Sequence, residues 1–214
     1  MGCIVSGSGS ALEIDDSVAL AHNCLAIILC MHDWKWEEAE VEFKRALECD
    51  VRSLARFAPV VVDESVCDDD AFVRARGAGY TGISSKTCKG IYRSLLNRAR
   101  CALWSRDPGE RYFMCAEDLT TQPGLAVQQD LALASAIGCE HVERNGHHYA
   151  NGMLGASAAE MDAFAASHPD LYRRSERGIH LKIEAGRISL ASLGCSGFAS
   201  GALPDPEVMQ PMEP

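Results

Sequence analysis

The sequence predicts an α/β protein whose main part is a partial (β/α) barrel of about four parallel strands, with a helical hairpin before it and a β-hairpin after it. Three observations support this prediction. From residue 59 onward, short apolar segments typical of strands alternate with longer helical segments. Strands separated by helices of this length pair in parallel through right-handed crossovers. Two amphipathic helical segments come first, and a stretch of alternating residues comes near the end.

Composition limits the classes of function. The 214 residues can bury a core, although a complete (β/α)8 barrel takes ~250 residues. The net charge of -10, without a long Lys/Arg run, argues against nucleic acid as a partner. The longest apolar stretch, residues 25–31, is too short to cross a bilayer, so we expect no transmembrane segment. Ten scattered cysteines without a Cys-x-x-Cys pair indicate reduced thiols in a cytoplasmic protein.

The chain divides into four predicted segments. We expect a flexible leader at residues 1–17, a helical hairpin at 18–50, the barrel segment with its C-terminal β-hairpin at 57–203 and a flexible tail at 204–214. The first six residues, from Met1 to Ser6, also fit the pattern for myristoylation at Gly2, with Cys3 available for a second acyl chain. A Gly/Ser-rich leader without a lipid is the alternative.

The hairpin is predicted from two helical segments, residues 18–31 and 37–49. On the second segment Ala39, Phe43 and Ala46 recur at spacings of four and three, which places them on one stripe. These positions, with Trp36 and the acidic residues after it, make the hairpin similar to a single tetratricopeptide repeat. One such repeat cannot bury its own apolar face, so we expect this face to dock on something else. An amphipathic hairpin that caps a core is the alternative.

The barrel segment contains four predicted strands and the helices between them. The expected strands are residues 59–62, 81–85, 112–115 and 139–143, and the expected helices are 68–77, 91–104 and 125–137. A further helix is expected at 158–167. Residues 179–193 alternate around Glu184-Ala185-Gly186, which predicts an antiparallel hairpin outside the parallel sheet.

Charged residues follow each predicted strand. Because the strand ends of an α/β barrel converge at one face, we expect these side chains to form one rim. The rim residues are Asp63, Glu64, Lys86, Lys89, Glu117, Asp118, Glu143 and Asn145. Carboxylates are the ligands that Mg²⁺ prefers, and a lysine that lies beside a dication and away from water loses its proton more easily and can act as a base. A zinc site that includes His141, His147 and His148 is an alternative. The sequence has no helical His-x-x-x-His pair, which argues against zinc.

Two strand ends carry a resemblance to a known family. Val62-Asp63-Glu64-Ser65 and the segment from Gly82 to Ile91, with Lys86-Thr87-Cys88-Lys89-Gly90, are similar to the fifth and sixth barrel strands of the enolase superfamily. The similarity is to its muconate-lactonising and dipeptide-epimerase branch. Residues 124–134 and 139–149 resemble a group described as mandelate racemase-like.

The resemblance implies an isomerase or lyase that uses Mg²⁺ to abstract a proton α to a carboxylate of a small substrate. It implies Asp63 and Glu64 as metal ligands, and Lys86, Lys89 and Glu143 as catalytic residues. Substrate-binding roles fall to Glu117, Asp118, Asn145 and His147.

Parts of the superfamily pattern have no counterpart in this sequence. The metal carboxylates of the third and fourth barrel strands and the N-terminal capping domain are not found before Pro59, so we expect weak Mg²⁺ binding by a remnant of such an enzyme. A non-catalytic scaffold that uses the helical hairpin is the alternative function. Half a barrel leaves strand edges open, which predicts a homo-oligomer through these edges or a hairpin folded across the opening.

Overall fold

The computed structural model describes residues 12–13, 15–119, 124–144, 152–176 and 178–209, with the side chains of 117–119 and 144 excepted. Most of the predicted leader, the acylation pattern and the end of the predicted tail therefore lie outside the described residues. The described part of the chain is mixed α/β with a four-stranded parallel sheet, which confirms the predicted class.

The helices are α1 Ala19–Met31, α2 Trp36–Glu48, α3 Arg52–Ala55, α4 Ala71–Ala78, α5 Ile91–Trp104, α6 Leu125–Ala136 and α7 Ala158–Ser167. The strands are β1 Val61–Val62, β2 Gly82–Ser85, β3 Phe113–Leu119, β4 Val142–Arg144, β5 Tyr172–Ser175, β6 Gly178–Leu181, β7 Ile183–Glu184 and β8 Arg187–Ile188. Short 3-10 turns occupy Thr87–Lys89, Ala191–Gly194 and Pro206–Val208. No described helix has both the length and the apolar character needed to cross a membrane.

The sheet has the strand order β1-β2-β3-β4. In the first pair Val61 lies opposite Gly82, and in the last pair Ala116 lies opposite Val142, both in parallel register. All four residues of β2 are buried, as a strand covered on both faces requires. The predicted helices 91–104 and 158–167 have the bounds that the periodicity indicated.

The chain forms two compact units. The first contains Met1–Ser84 and Leu95–Met114, and the second contains Ser85–Ser94 and Cys115–Pro214. Helix α5 therefore begins in the second unit and continues in the first.

In the first unit the helical hairpin α1–α2 packs against the α/β elements. Helix α2 contacts α4, and its buried stripe includes Ala39, Ala46 and Leu47. Tyr80 Oη donates a hydrogen bond to the carbonyl oxygen of Ala46 over 3.3 Å. The Ser65 hydroxyl, just beyond β1, donates to Asn23 Oδ1 over 3.4 Å. The buried stripe of α2 thus packs against another element of its own chain, as expected for an apolar face that one helical hairpin cannot bury alone.

Two antiparallel hairpins complete the second unit. Strands β7 and β8 turn at Ala185 and Gly186, which both have positive φ, as a two-residue type I′ turn requires. This confirms the predicted turn. Strand β6, however, pairs with β5, a segment that the sequence pattern did not predict as a strand. The core beside these hairpins is formed by apolar side chains that include Val127, Leu131, Phe164, Leu171 and Ile179.

Candidate functional site

Two lysines follow the carboxyl end of β2. Lys86 is 6% exposed, and Lys89 is half-buried in the 3-10 turn directly after it. The backbone N–H of Lys89 donates to the carbonyl of Lys86 over 3.0 Å, which closes the turn. The turn lies against helix α6 within the second unit. Behind it, the Ser85 and Ser94 hydroxyls form a buried hydrogen bond of 2.9 Å. Lys86 is thus a largely buried residue at the end of a buried strand.

Asp63 and Glu64 follow the carboxyl end of β1, the strand that pairs in parallel with β2. Both side chains are half-buried, and the backbone N–H of Val66 donates to the carbonyl of Asp63 over 3.0 Å to form a turn. These carboxylates belong to the first unit, whereas Lys86 and Lys89 belong to the second.

Glu143 lies within β4 with an exposed side chain. It lines a cavity of 350 Å³ together with Cys115, Glu140, His141 and the Gly186 turn, and neither predicted lysine is among the described residues that line this cavity. The side chains of Glu117, Asp118, Asn145 and His147 lie outside the described residues, as does that of His148.

The magnesium site predicted from the sequence depends on carboxylates at the strand ends, and only some of their side chains lie within the described residues. Within the described ranges, no three His, Cys, Asp or Glu side chains converge as metal ligands. Mg²⁺ binds oxygen ligands in near-octahedral geometry, and even with several waters it uses one or two protein carboxylates and a substrate group. Among the described side chains at the end of β1, Asp63 and Glu64 are the carboxylates that could contribute to such a site.

A buried polar network that no sequence pattern indicated holds the start of α6. Tyr172 Oη accepts hydrogen bonds of 3.0 Å from the backbone N–H of Gly124 and from Gln128 Nε2. Burial raises the pKa of Tyr172 to about 12, so the phenol remains neutral at physiological pH. Nothing in the sequence around Tyr172 indicates this contact, because its partners lie more than forty residues earlier.

A second network connects the end of α7 with the 3-10 turn Ala191–Gly194. His168 is fully buried, and its Nδ1 lies 3.1 Å from the Ser192 hydroxyl. Asp170 Oδ2 accepts hydrogen bonds from the Ser189 hydroxyl at 2.6 Å and from the Ser192 backbone at 3.3 Å. Burial by itself would raise the pKa of the Asp170 carboxyl, but these hydrogen bonds outweigh it and hold the pKa at about 2.

The second unit also contains a cavity of 540 Å³ at the starts of α6 and α7. Its walls are mostly apolar, with Met153, Phe164 and Met209 among them, and Gln129 and Glu160 contribute polar groups. This volume suits a small organic molecule.

No protein-family model, no curated protein and no solved structure matches this chain. Function is therefore inferred from the lysine turn, the carboxylates after β1 and the exposed surfaces of the helices.

Proposed function

We propose that the chain is a remnant of a Mg²⁺-dependent enolase-superfamily enzyme that abstracted a proton α to a carboxylate, as racemases, epimerases and dehydratases of that superfamily do. In this proposal β1 to β4 correspond to the last four strands of the ancestral barrel. The observation that carries the proposal is Lys86, a lysine that is 6% exposed at the carboxyl end of a fully buried parallel strand.

Burial of a charged lysine at this position is energetically unfavourable, whereas an apolar residue of similar size would be buried there without that cost. Lysine is almost never fully buried unless its charge is compensated, because transfer of an ammonium group out of water is unfavourable. The ends of parallel strands in barrel enzymes are where catalytic groups are held. A shielded lysine in that position can hold or receive a proton at Nζ, and its positive charge favours a carboxylate ligand. Lys89, one turn further along, adds a second positive charge.

The proposed ancestry predicts that the chain binds carboxylates, and its proposed present state predicts that it does not turn them over. The lysine turn should still bind a small carboxylate, whereas turnover by the superfamily's mechanism requires three metal carboxylates, and no group of three candidate ligands occurs among the described residues. Enediolate formation without a cation is strongly disfavoured, since no group then offsets the developing charge. We therefore propose carboxylate binding without appreciable proton abstraction.

The test uses mandelate and an alanyl-glutamate dipeptide as probes. Ligand-observed NMR should detect mandelate or dipeptide binding that is lost in Lys86→Met and kept in Lys182→Met, a matched change at a partly exposed lysine of the second unit. Circular dichroism of each variant verifies folding. In D₂O with millimolar Mg²⁺, the α-proton signal should persist, and Mg²⁺ calorimetry should show no micromolar binding.

Two results would count against this proposal. If the wild-type chain and folded Lys86→Met bind the carboxylate equally well, Lys86 does not form the binding site. The proposed enolase-superfamily ancestry then loses the observation that supports it. Exchange of the substrate α-proton for deuterium that requires both Mg²⁺ and Lys86 would show that the chain is an active enzyme. It would refute the proposal that the chain is an inactive remnant.

A second candidate function, a non-catalytic scaffold that presents the helical hairpin, is favoured by one specific observation. Leu20, Met31 and Trp34 of the hairpin are each at least 70% exposed, although large apolar side chains are mostly covered in a folded chain. This function needs neither Mg²⁺ nor Lys86.

A further inference from the structure

The cavity at the starts of α6 and α7 is separate from the lysine turn. Its volume of 540 Å³ falls within the range of sites that hold small organic molecules. All of its described lining residues belong to the second unit, and neither Lys86 nor Lys89 is among them. The cavity can therefore take a ligand without the lysine turn.

The cavity has a buried apolar floor and an exposed outer wall. Met153 is 3% exposed and Phe164 is fully buried, and these two side chains contribute to the floor. The outer wall comes from the segment after Pro204, where Val208 is 51% exposed and Met209 58%. Large apolar side chains that are this exposed favour a ligand that covers them, because apolar surface is then removed from water.

The lining side chains favour an aromatic ring in the ligand. Methionine sulfur makes favourable contacts with aromatic rings, and Met153 and Met209 lie in the floor and in the outer wall of the cavity. Phe164 adds an aromatic surface against which a second ring can pack edge to face. We therefore expect the apolar body of the ligand to be aromatic.

Glu160 is the only charged side chain among the described residues that line the cavity. Its carboxylate is half-buried, and Oε2 accepts a long hydrogen bond, 3.4 Å, from the backbone N–H of Asp205. Within the described ranges no basic side chain pairs with Glu160, nor with Asp205 and Glu207 beside the outer wall. A carboxylate that no cation neutralises, next to an apolar cavity, favours a positively charged ligand.

The helix starts at the cavity do not reverse this preference. The N-terminus of a helix carries about half a positive charge, which by itself favours an anion. At α7 the Ser157 hydroxyl accepts the Glu160 backbone N–H over 3.1 Å, and the Glu160 carboxylate places a full negative charge in the first turn. At α6 the backbone N–H of Gly124 already donates to Tyr172 Oη. The charge at the cavity thus favours a cation.

We propose that this cavity binds an aromatic amine. The aromatic ring lies among Met153, Phe164 and Met209, and the ammonium group donates a hydrogen bond to the Glu160 carboxylate. The side-chain amide of Gln129, also in the lining, supplies an acceptor oxygen for a second N–H of the ammonium group. This site goes beyond the proposed function, because its ligand has the opposite charge and its residues are different ones.

The first test compares three probes that share an indole ring. The side chains of tryptamine, tryptophol and indole-3-acetate end in an ammonium, a hydroxyl and a carboxylate group. Calorimetry and ligand-observed NMR with the full chain should rank the affinities in that order, with tryptamine about tenfold tighter than tryptophol. Tryptamine that does not bind, or binds no tighter than the other two probes, would refute the proposal.

The second test removes the charge of Glu160. Glu160→Gln keeps an acceptor oxygen for the Asp205 N–H and should weaken tryptamine binding about tenfold, while tryptophol binding changes by less than about twofold. Glu207→Gln is the matched control, since Glu207 is an exposed acidic residue of the same segment that does not line the cavity. It should leave tryptamine affinity within about twofold of the wild type. Unchanged affinity in folded Glu160→Gln would exclude Glu160 as the recognition group.

The third test locates the ligand by filling the cavity. Ala126→Trp places a large side chain at an exposed position of the lining and should abolish tryptamine binding. Ala136→Trp is the control, at an exposed residue ten positions further along α6, about 15 Å away. It should bind tryptamine as the wild type does. Circular dichroism verifies that each variant folds, and binding that persists in folded Ala126→Trp would place the ligand elsewhere.

Methionine methyl signals give a second reading of the position. In protein labelled with ¹³C at the methionine methyl groups, tryptamine should shift the signals of Met153 and Met209. The signal of Met31, which is 73% exposed in the first unit, should stay in place. Lys86→Met should bind tryptamine with unchanged affinity. Loss of tryptamine binding in folded Lys86→Met would contradict a site that is separate from the lysine turn.

Discussion

At the scale of single residues, the least expected feature is His168. The imidazole is fully buried between the end of α7 and the 3-10 turn Ala191–Gly194 of the second unit, with Nδ1 against the Ser192 hydroxyl. Its Nε2 is buried and has no hydrogen-bond partner among the described residues. Burial lowers the pKa of His168, and the nearby Asp170 carboxylate opposes this only in part. The folded protein therefore favours the neutral ring.

This residue predicts a loss of stability in mild acid. The unfolded chain takes up a proton on His168 near pH 6.5, at about the ordinary pKa, and the folded chain does so only at lower pH. The free energy of unfolding should therefore fall as the pH drops below about 6.5, down to the lowered pKa of the folded state. Urea denaturation between about pH 8 and pH 5 measures this slope.

His168→Gln should make the free energy of unfolding depend less steeply on pH, because the contribution of His168 is removed. This holds whether or not the substitution changes stability at neutral pH. His141→Gln, at an exposed histidine of the same unit, should retain it. An unchanged slope in folded His168→Gln would contradict the assignment.

At the scale of elements, β2 is packed so closely at its first residue, Gly82, that a side chain there would displace its neighbours. A Cβ atom on Gly82 would lie 2.6 Å from Phe113 Cζ and 2.9 Å from Val61 Cγ2, in the neighbouring strands of the first unit. Gly77, within helix α4, has no such neighbour within 4 Å. Packing therefore disfavours a side chain at Gly82, whereas the space around Gly77 can take one.

Substitution by alanine should change the free energy of unfolding in opposite directions at Gly82 and at Gly77. Gly82→Ala should lower the free energy of unfolding by about 1–3 kcal/mol, since ring and strand must move apart. Gly77→Ala should raise it by about 0.5–1 kcal/mol, because alanine loses less backbone entropy in a helix. Urea denaturation of the two variants measures both effects, and equal stability of the two would contradict the close packing of β2.

At the scale of the whole molecule, the described cysteines differ in their exposure. None of these nine cysteines forms a disulfide; Cys88 and Cys195 are exposed, and Cys49 and Cys101 are buried. The reduced state that their scattered positions indicate stays a prediction, which thiol labelling tests.

Reaction with a thiol reagent should follow this exposure. In a Cys3→Ser background, which removes the cysteine outside the described residues, Cys88 and Cys195 should react first, and the buried thiols should react only when denaturant unfolds the chain. Mass spectrometry of the quenched protein identifies the modified sites. A reductant should leave the melting temperature unchanged. Early modification of Cys101, or a lower melting temperature in reductant, would contradict this arrangement.

The sequence by itself determined the described helices of eight or more residues and the parallel strands, but not the four-residue α3, because periodicity, β-branched runs and turn residues act over a few neighbours. Helix α5 was predicted with its observed bounds, and the turn at Ala185 and Gly186 was predicted from local alternation. The Asp63 and Lys86 positions at strand ends also result from the strand pattern and the parallel pairing.

Tertiary structure alone decided which surfaces meet. Local pattern assigned β6 to a hairpin with the segment after it, whereas its partner in the structure is β5. An apolar stripe on α5 predicts burial, yet Ser94, Asn97 and Cys101 face inward and the leucines face out. Tyr172 and His168 have polar contacts with residues far along the chain. The physical reason is that contact between distant segments depends on the free energy of the whole packed unit, which no local window of sequence contains.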